Sequence, residues 1–90
     1  MKMIKRVHPA WAEIPDIAIN SHKILKNTIG RYQYVYSSNK GEISLIELPN
    51  YFSNGITYWE IYSTKGDLFE DVERFDTKAK AEIRIKKLLD

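Results

Sequence analysis

No cysteine occurs among the 90 residues. Disulfide staples and thiolate metal sites are therefore excluded, and a disulfide-free chain of this length fits a reducing compartment, so the expected location is the cytoplasm. Glycine is scarce: Gly30, Gly41, Gly55 and Gly66 each stand alone near an expected turn, and no phosphate-cradling loop can be built from them. His8 and His22 are the only histidines, and their spacing to Glu13 and Asp16 matches no metal-ligand pattern. No serine sits in a G-x-S-x-G elbow. The acidic run Glu70-Asp71-Val72-Glu73 lacks the spacing and glycine of a calcium loop. No uncharged stretch approaches the roughly 20 residues of a membrane-spanning helix. Beyond Lys2, Lys5 and Arg6 the chain is interrupted by Pro9, Glu13, Pro15 and Asp16, so no signal-peptide core follows. These absences point away from an enzyme, a cofactor, a metal and a membrane.

What is present is an uneven distribution of charge. The net charge of +2 hides three blocks. Residues 1–40 carry seven bases against two acids, residues 41–76 two bases against eight acids, and residues 77–90 five bases against two acids. The chain is basic at both ends and acidic in the middle. If folding keeps the blocks apart, the surface has two faces of opposite sign; if it interleaves them, they neutralise each other.

The apolar pattern reads as one α+β domain, since 90 residues leave no room for a second core. Arg31–Tyr36 and Glu42–Leu48 alternate like strands, with turn chemistry at Ser38–Gly41 between them. Thr57–Tyr62 is a third strand and Leu68–Phe75 a fourth, joined by the turn Thr64–Asp67. Connections this short favour an antiparallel meander of three to four strands. A C-terminal amphipathic helix follows over 76–90. Asp76 or Thr77 caps it, and Ala81, Ile85, Leu88 and Leu89 form its apolar stripe. Residues 1–14 read as an irregular basic arm. Within 15–30, Ile14, Ala18, Ser21, Leu25 and Ile29 recur at helical spacing behind Pro15, predicting a short N-terminal helix.

Neither face of the expected sheet is purely polar. Tyr32, Tyr34 and Tyr36 share one face, while Ile43 and Leu45 oppose Ile46 and Leu48 across strand two. A sheet with one wet face alternates more cleanly, so the second face needs a cover. The N-terminal segment is the simplest candidate; a second copy of the chain or a partner protein are the others.

Residues 57–89 resemble the AP2-like arm-binding domains of integrases. The resemblance rests on the strand Thr57–Tyr62, the turn Lys65-Gly66, a strand ending at Arg74-Phe75, and the helix start Asp76-Thr77-Lys78-Ala79-Lys80-Ala81-Glu82. It implies a sheet that enters a DNA groove, although the last strand here is acidic where that family carries positive charge. In style, the whole chain also resembles small phage and prophage accessory proteins that block host defence proteins, CRISPR effectors among them.

Two functions follow as expectations. The first is a non-enzymatic protein-binding module, such as a mobile-element inhibitor, that occludes a basic surface of a nucleic-acid-handling host protein. Tyr51, Phe52, Tyr58 and Trp59 would be its aromatic anchors, and Glu70, Asp71 and Glu73 its acidic complement. The loop Pro49–Gly55 stands out because it sets two adjacent aromatics among turn formers. The alternative is a nucleic-acid-binding domain. It would use Lys2, Lys5 and Arg6 from the arm, and Lys80, Arg84 and Lys87, a stripe at i, i+4, i+7 on the helix.

Overall fold

In a computed structural model that describes all 90 residues, five strands form one antiparallel sheet in sequential order. They are β1 (Lys2–Val7), β2 (Tyr32–Ser38), β3 (Gly41–Leu48), β4 (Tyr58–Lys65) and β5 (Val72–Phe75). A short helix α1 (Lys23–Thr28) lies between β1 and β2, and α2 (Lys78–Leu89) closes the chain. The α+β meander is as expected, with one strand more than the sequence suggested. The added strand is β1. The basic arm pairs along its length with β2, Lys2 opposite Ser37 and Val7 opposite Tyr32.

The register explains the core. Tyr34, Leu45 and Ile61 face one another across β2, β3 and β4, and Tyr36 faces Ile43 in the next row. Onto this face α2 sets Ala81, Ile85 and Leu89, all buried. Burying Ile85 and Leu89 stabilises the fold by about 1.5–3 kcal/mol each. Thr77 is the N-cap: its hydroxyl accepts from the Lys80 amide at 3.2 Å, which satisfies one of the donors a helix start leaves free.

The opposite face buries Gln33, Val35, Ser44, Ile46 and Leu48. With α2 on the other side, the excursion 8–31 and the 49–57 loop are the segments left to cover it. Trp11 is the large side chain the excursion buries, 2 % exposed, with its indole N–H donating to the Ile29 carbonyl at 3.0 Å. This answers the need for a cover from within the chain. The excursion is not the single helix its spacing predicted. A 3-10 turn (Pro9–Trp11) precedes a 3-10 segment (Asp16–Ser21), and α1 starts after His22, whose φ of −100° and ψ of 61° interrupt helical geometry.

The fourth strand is shorter than expected. Asp71 takes a positive φ of 55°, a conformation acidic side chains tolerate, and this turn delays pairing until Val72. Leu68 and Phe69, read as strand residues, instead pack against the helix-side core. Two hairpin tips meet here. A Cβ on Gly41 would lie 2.3 Å from the Lys65 carbonyl oxygen, so only glycine permits the approach.

Candidate functional site

Tyr58 and Trp59 are neighbours in β4, so they point to opposite faces of the sheet. The expected anchors therefore divide between two surfaces.

The first surface lies on the face away from α2. Tyr51 meets Phe52 edge-on at 5.1 Å, and Phe52 meets Tyr58 at 5.6 Å. The Arg74 guanidinium lies 5.1 Å from the Phe52 ring centre, while its Nε pairs with Glu60 at 2.9 Å. Tyr51 and Phe52 remain 50 % and 45 % exposed. The loop that carries them is laced by short-range bonds. The Asn50 side chain accepts from the Gly55 amide at 2.7 Å, Asn54 accepts from the Ile56 amide at 3.0 Å, and the Thr57 hydroxyl donates to the Pro49 carbonyl at 3.0 Å. The aromatic stack is thus held in place rather than left on a free loop.

The second surface lies on the α2 side, in the row beyond the helix start. There Gly30, Arg31, Tyr32, Tyr34, Glu47 and Trp59 line a hollow of about 110 Å³. Two lysines from opposite ends of the chain converge on it. Lys78, the first residue of α2, sits 3.9 Å from the Tyr34 ring centre and 5.8 Å from that of Trp59. Lys5, from β1, sits 4.2 Å from Tyr32 and 5.9 Å from Tyr34. Arg31 is ion-paired with Asp16, yet its Nε is buried with no acceptor in the chain.

The remaining expected residues are largely answered within the protein. Arg84 holds Glu73 through two hydrogen bonds, and Lys80 pairs with Asp76 at 2.9 Å. These contacts hold the Asp76 carboxyl below its usual range, chiefly through the Lys80 hydrogen bond, and raise Arg84, chiefly through Glu73. Of the helix stripe, Lys87 is exposed and makes no ion pair; of the acidic set, Glu70 and Asp71 are the ones left in that state. In β1, Arg6 donates to the Gln33 side chain at 2.9 Å, and Lys2 is exposed. The acidic and basic blocks interleave at α2 and β5, and positive charge is left at the hollow instead.

Of the two histidines, His8 caps the first 3-10 turn, its Nδ1 accepting from the Ala10 amide at 3.0 Å. Burial, then the nearby Arg6, pushes its pKa down. His22 packs edge-on to Trp11. No group of three or more histidine or acidic side chains is placed to hold a metal ion.

Sequence reasoning missed Arg31, Glu47, Lys78 and Arg74. The shared face of Tyr32 and Tyr34 was the one available signal for the hollow. Lys78 gave none, because its place over those rings depends on where the helix lands. Family models, curated proteins and solved structures yield no match to this chain.

Proposed function

We propose that the protein is a non-catalytic protein-binding module whose anchor is the Tyr51–Phe52–Tyr58 stack. The observation that carries this reading is that Tyr51 and Phe52 stay about half exposed although their loop is fixed by hydrogen bonds. Aromatic and arginine side chains dominate binding energy at protein interfaces. Ordering a mobile side chain on binding costs about 0.5–1.5 kcal/mol, and the edge-on packing lowers that cost here. Arg74 lies on the same surface, and Val72, two residues earlier in β5, shares its face. Glu70 and Asp71 lie in the turn that leads into this edge strand, and both are exposed. The partner that fits presents an apolar cleft with basic residues to one side, and the mode of action is occlusion.

The experiment places a photo-crosslinking amino acid at position 56, beside the stack, and a second at position 83 on α2 as a control. Cross-linked partners are captured from cells of the source organism. A partner recovered from position 56 alone, lost in Tyr51→Ala/Phe52→Ala and weakened in Glu70→Lys/Asp71→Lys, supports the reading. Equal recovery from both positions, or recovery unaffected by the loop variant, overturns it.

A further inference from the structure

The hollow on the α2 side combines three features that no packing requirement explains. Its walls are aromatic: Tyr32, Tyr34 and Trp59. Its mouth carries Lys5 and Lys78, which approach from different elements and make no ion pair. Its lining also holds Arg31 and Glu47, one charged donor and one charged acceptor. The charges of Arg31 and Asp16 offset each other. Lys5 and Lys78 against Glu47 then leave one positive charge in excess at the mouth, which selects an anion.

Size selects the rest of the ligand. Drug-sized molecules need pockets of roughly 300–1,000 Å³. A cavity of about 150 Å³ holds benzene. At about 110 Å³, and open on one side, the hollow takes part of one planar group and leaves the rest of the ligand outside.

We infer that this hollow binds a nucleobase, stacked against Tyr32, Tyr34 and Trp59, with the attached phosphate held by Lys5 and Lys78. The Glu47 carboxylate, an acceptor only, favours a base edge with N–H donors. The lysines now resting on the tyrosine rings do not block the site. A cation over an exposed ring is worth about 0.5–1 kcal/mol. Stacking of a base on an aromatic side chain is worth about 1–3 kcal/mol, and each lysine keeps its electrostatic reward by moving to the phosphate. A duplex hides its base faces, so the ligand is a single strand or a free nucleotide. This inference rests on a different face of the sheet from the protein-binding reading, and either can fail alone.

The test uses the full chain with fluorescein-labelled single strands of each base, a duplex of matched length, and the four nucleoside 5′-monophosphates. Anisotropy reports the strands, and Trp59 fluorescence the mononucleotides. Single strands are expected to bind at low salt and the duplex about tenfold more weakly or less. With one phosphate held, log affinity is expected to fall against log salt with a slope of about −0.7. Lys5→Gln/Lys78→Gln lowers affinity at least about tenfold, and Glu47→Gln changes the order of preference among bases. Amide shifts on titrating the unmodified protein fall on Gly30, Tyr32, Glu47 and Trp59, a readout independent of how any variant folds. Mononucleotides that match the strands identify a free nucleotide as the ligand, whereas strands that bind far better identify the polymer. No binding by either, equal binding of duplex and single strand, or shifts confined to Lys86 and Lys87 overturns the inference.

Discussion

Arg84 in α2 grips Glu73 in β5 with Nε and Nη2, at 2.9 and 3.1 Å from its two carboxylate oxygens. This one contact joins the basic end of the chain to its acidic middle, and fastens the helix to the last strand. The side chains are 38 % and 31 % exposed, so solvent screens the pair despite its two-pronged geometry. A double-mutant cycle of Arg84→Ala and Glu73→Ala, read by urea unfolding, is expected to give a coupling of about 0.5–1 kcal/mol that shrinks in high salt. A coupling near zero would make the contact incidental.

Gln33 is a buried polar residue with every hydrogen-bonding group in use. It is 3 % exposed, donates to Ser44 at 3.0 Å and to Tyr62 at 2.6 Å, and accepts from Arg6. Gln33→Leu keeps the size but strands the Ser44 hydroxyl in the interior. The expected loss is about 1–3 kcal/mol in chemical denaturation. An unchanged midpoint would mean that Ser44 finds another partner.

Gly41 stands where two hairpin tips touch, with φ at 152° and the Lys65 carbonyl against its α-carbon. Gly41→Ala is expected to lower stability by more than the roughly 1 kcal/mol scale of ordinary alanine–glycine exchanges, because a backbone oxygen cannot step aside as a side chain can. Thermal unfolding checks this. A variant as stable as the parent would show that the tips separate freely.

Tyr36 is expected to make stability fall in alkali. Its hydroxyl donates to Glu82 at 2.9 Å, and burial, followed by this bond and the Glu82 charge, raises its pKa. A raised value in the folded state means that the contribution is complete below the unfolded value of about 10 and declines as pH climbs above it. Urea midpoints of the parent and of Tyr36→Phe, measured from pH 8 upward, are expected to diverge above about pH 10. The parent should lose the more. Parallel curves would rule out Tyr36 as the source.

Much of the meander was legible because its signals are local. Alternation in Tyr32–Tyr36 and Ile43–Leu48, turn residues between strands, and a capped stripe at Ala81, Ile85 and Leu89 each depend on near neighbours. The strand β1 was not legible. Lys2–Val7 has bases and apolar residues without strict alternation, and becomes a strand by pairing with residues 25 to 35 positions away. In the excursion the spacing found four of its five inward positions: Ile14, Ala18, Leu25 and Ile29 are partly covered, whereas Ser21 is exposed, as are Ile17 and Ile24. It did not find the break at His22. The hollow was hidden for the same reason as β1. Its lysines come from residues 5 and 78, and only the three-dimensional path brings them to one ring.

That path also sets an order of events. The hairpin between β2 and β3 closes over Asn39 and Lys40, whereas β1 reaches β2 only across residues 8–31. Closing the longer loop costs about 2 kcal/mol more in chain entropy. The strand at its end has every residue exposed, so little burial repays that cost. In folding, β1 is therefore expected to dock after β2 and β3 have paired, and in the native ensemble to detach more readily than β3. Amide exchange of Lys2–Val7 therefore runs through partial openings, ahead of the exchange of β3. An opening of β1 would carry Lys5 away from Tyr32 and Tyr34, so the number of cations at the mouth of the aromatic hollow is tied to the pairing of a single strand.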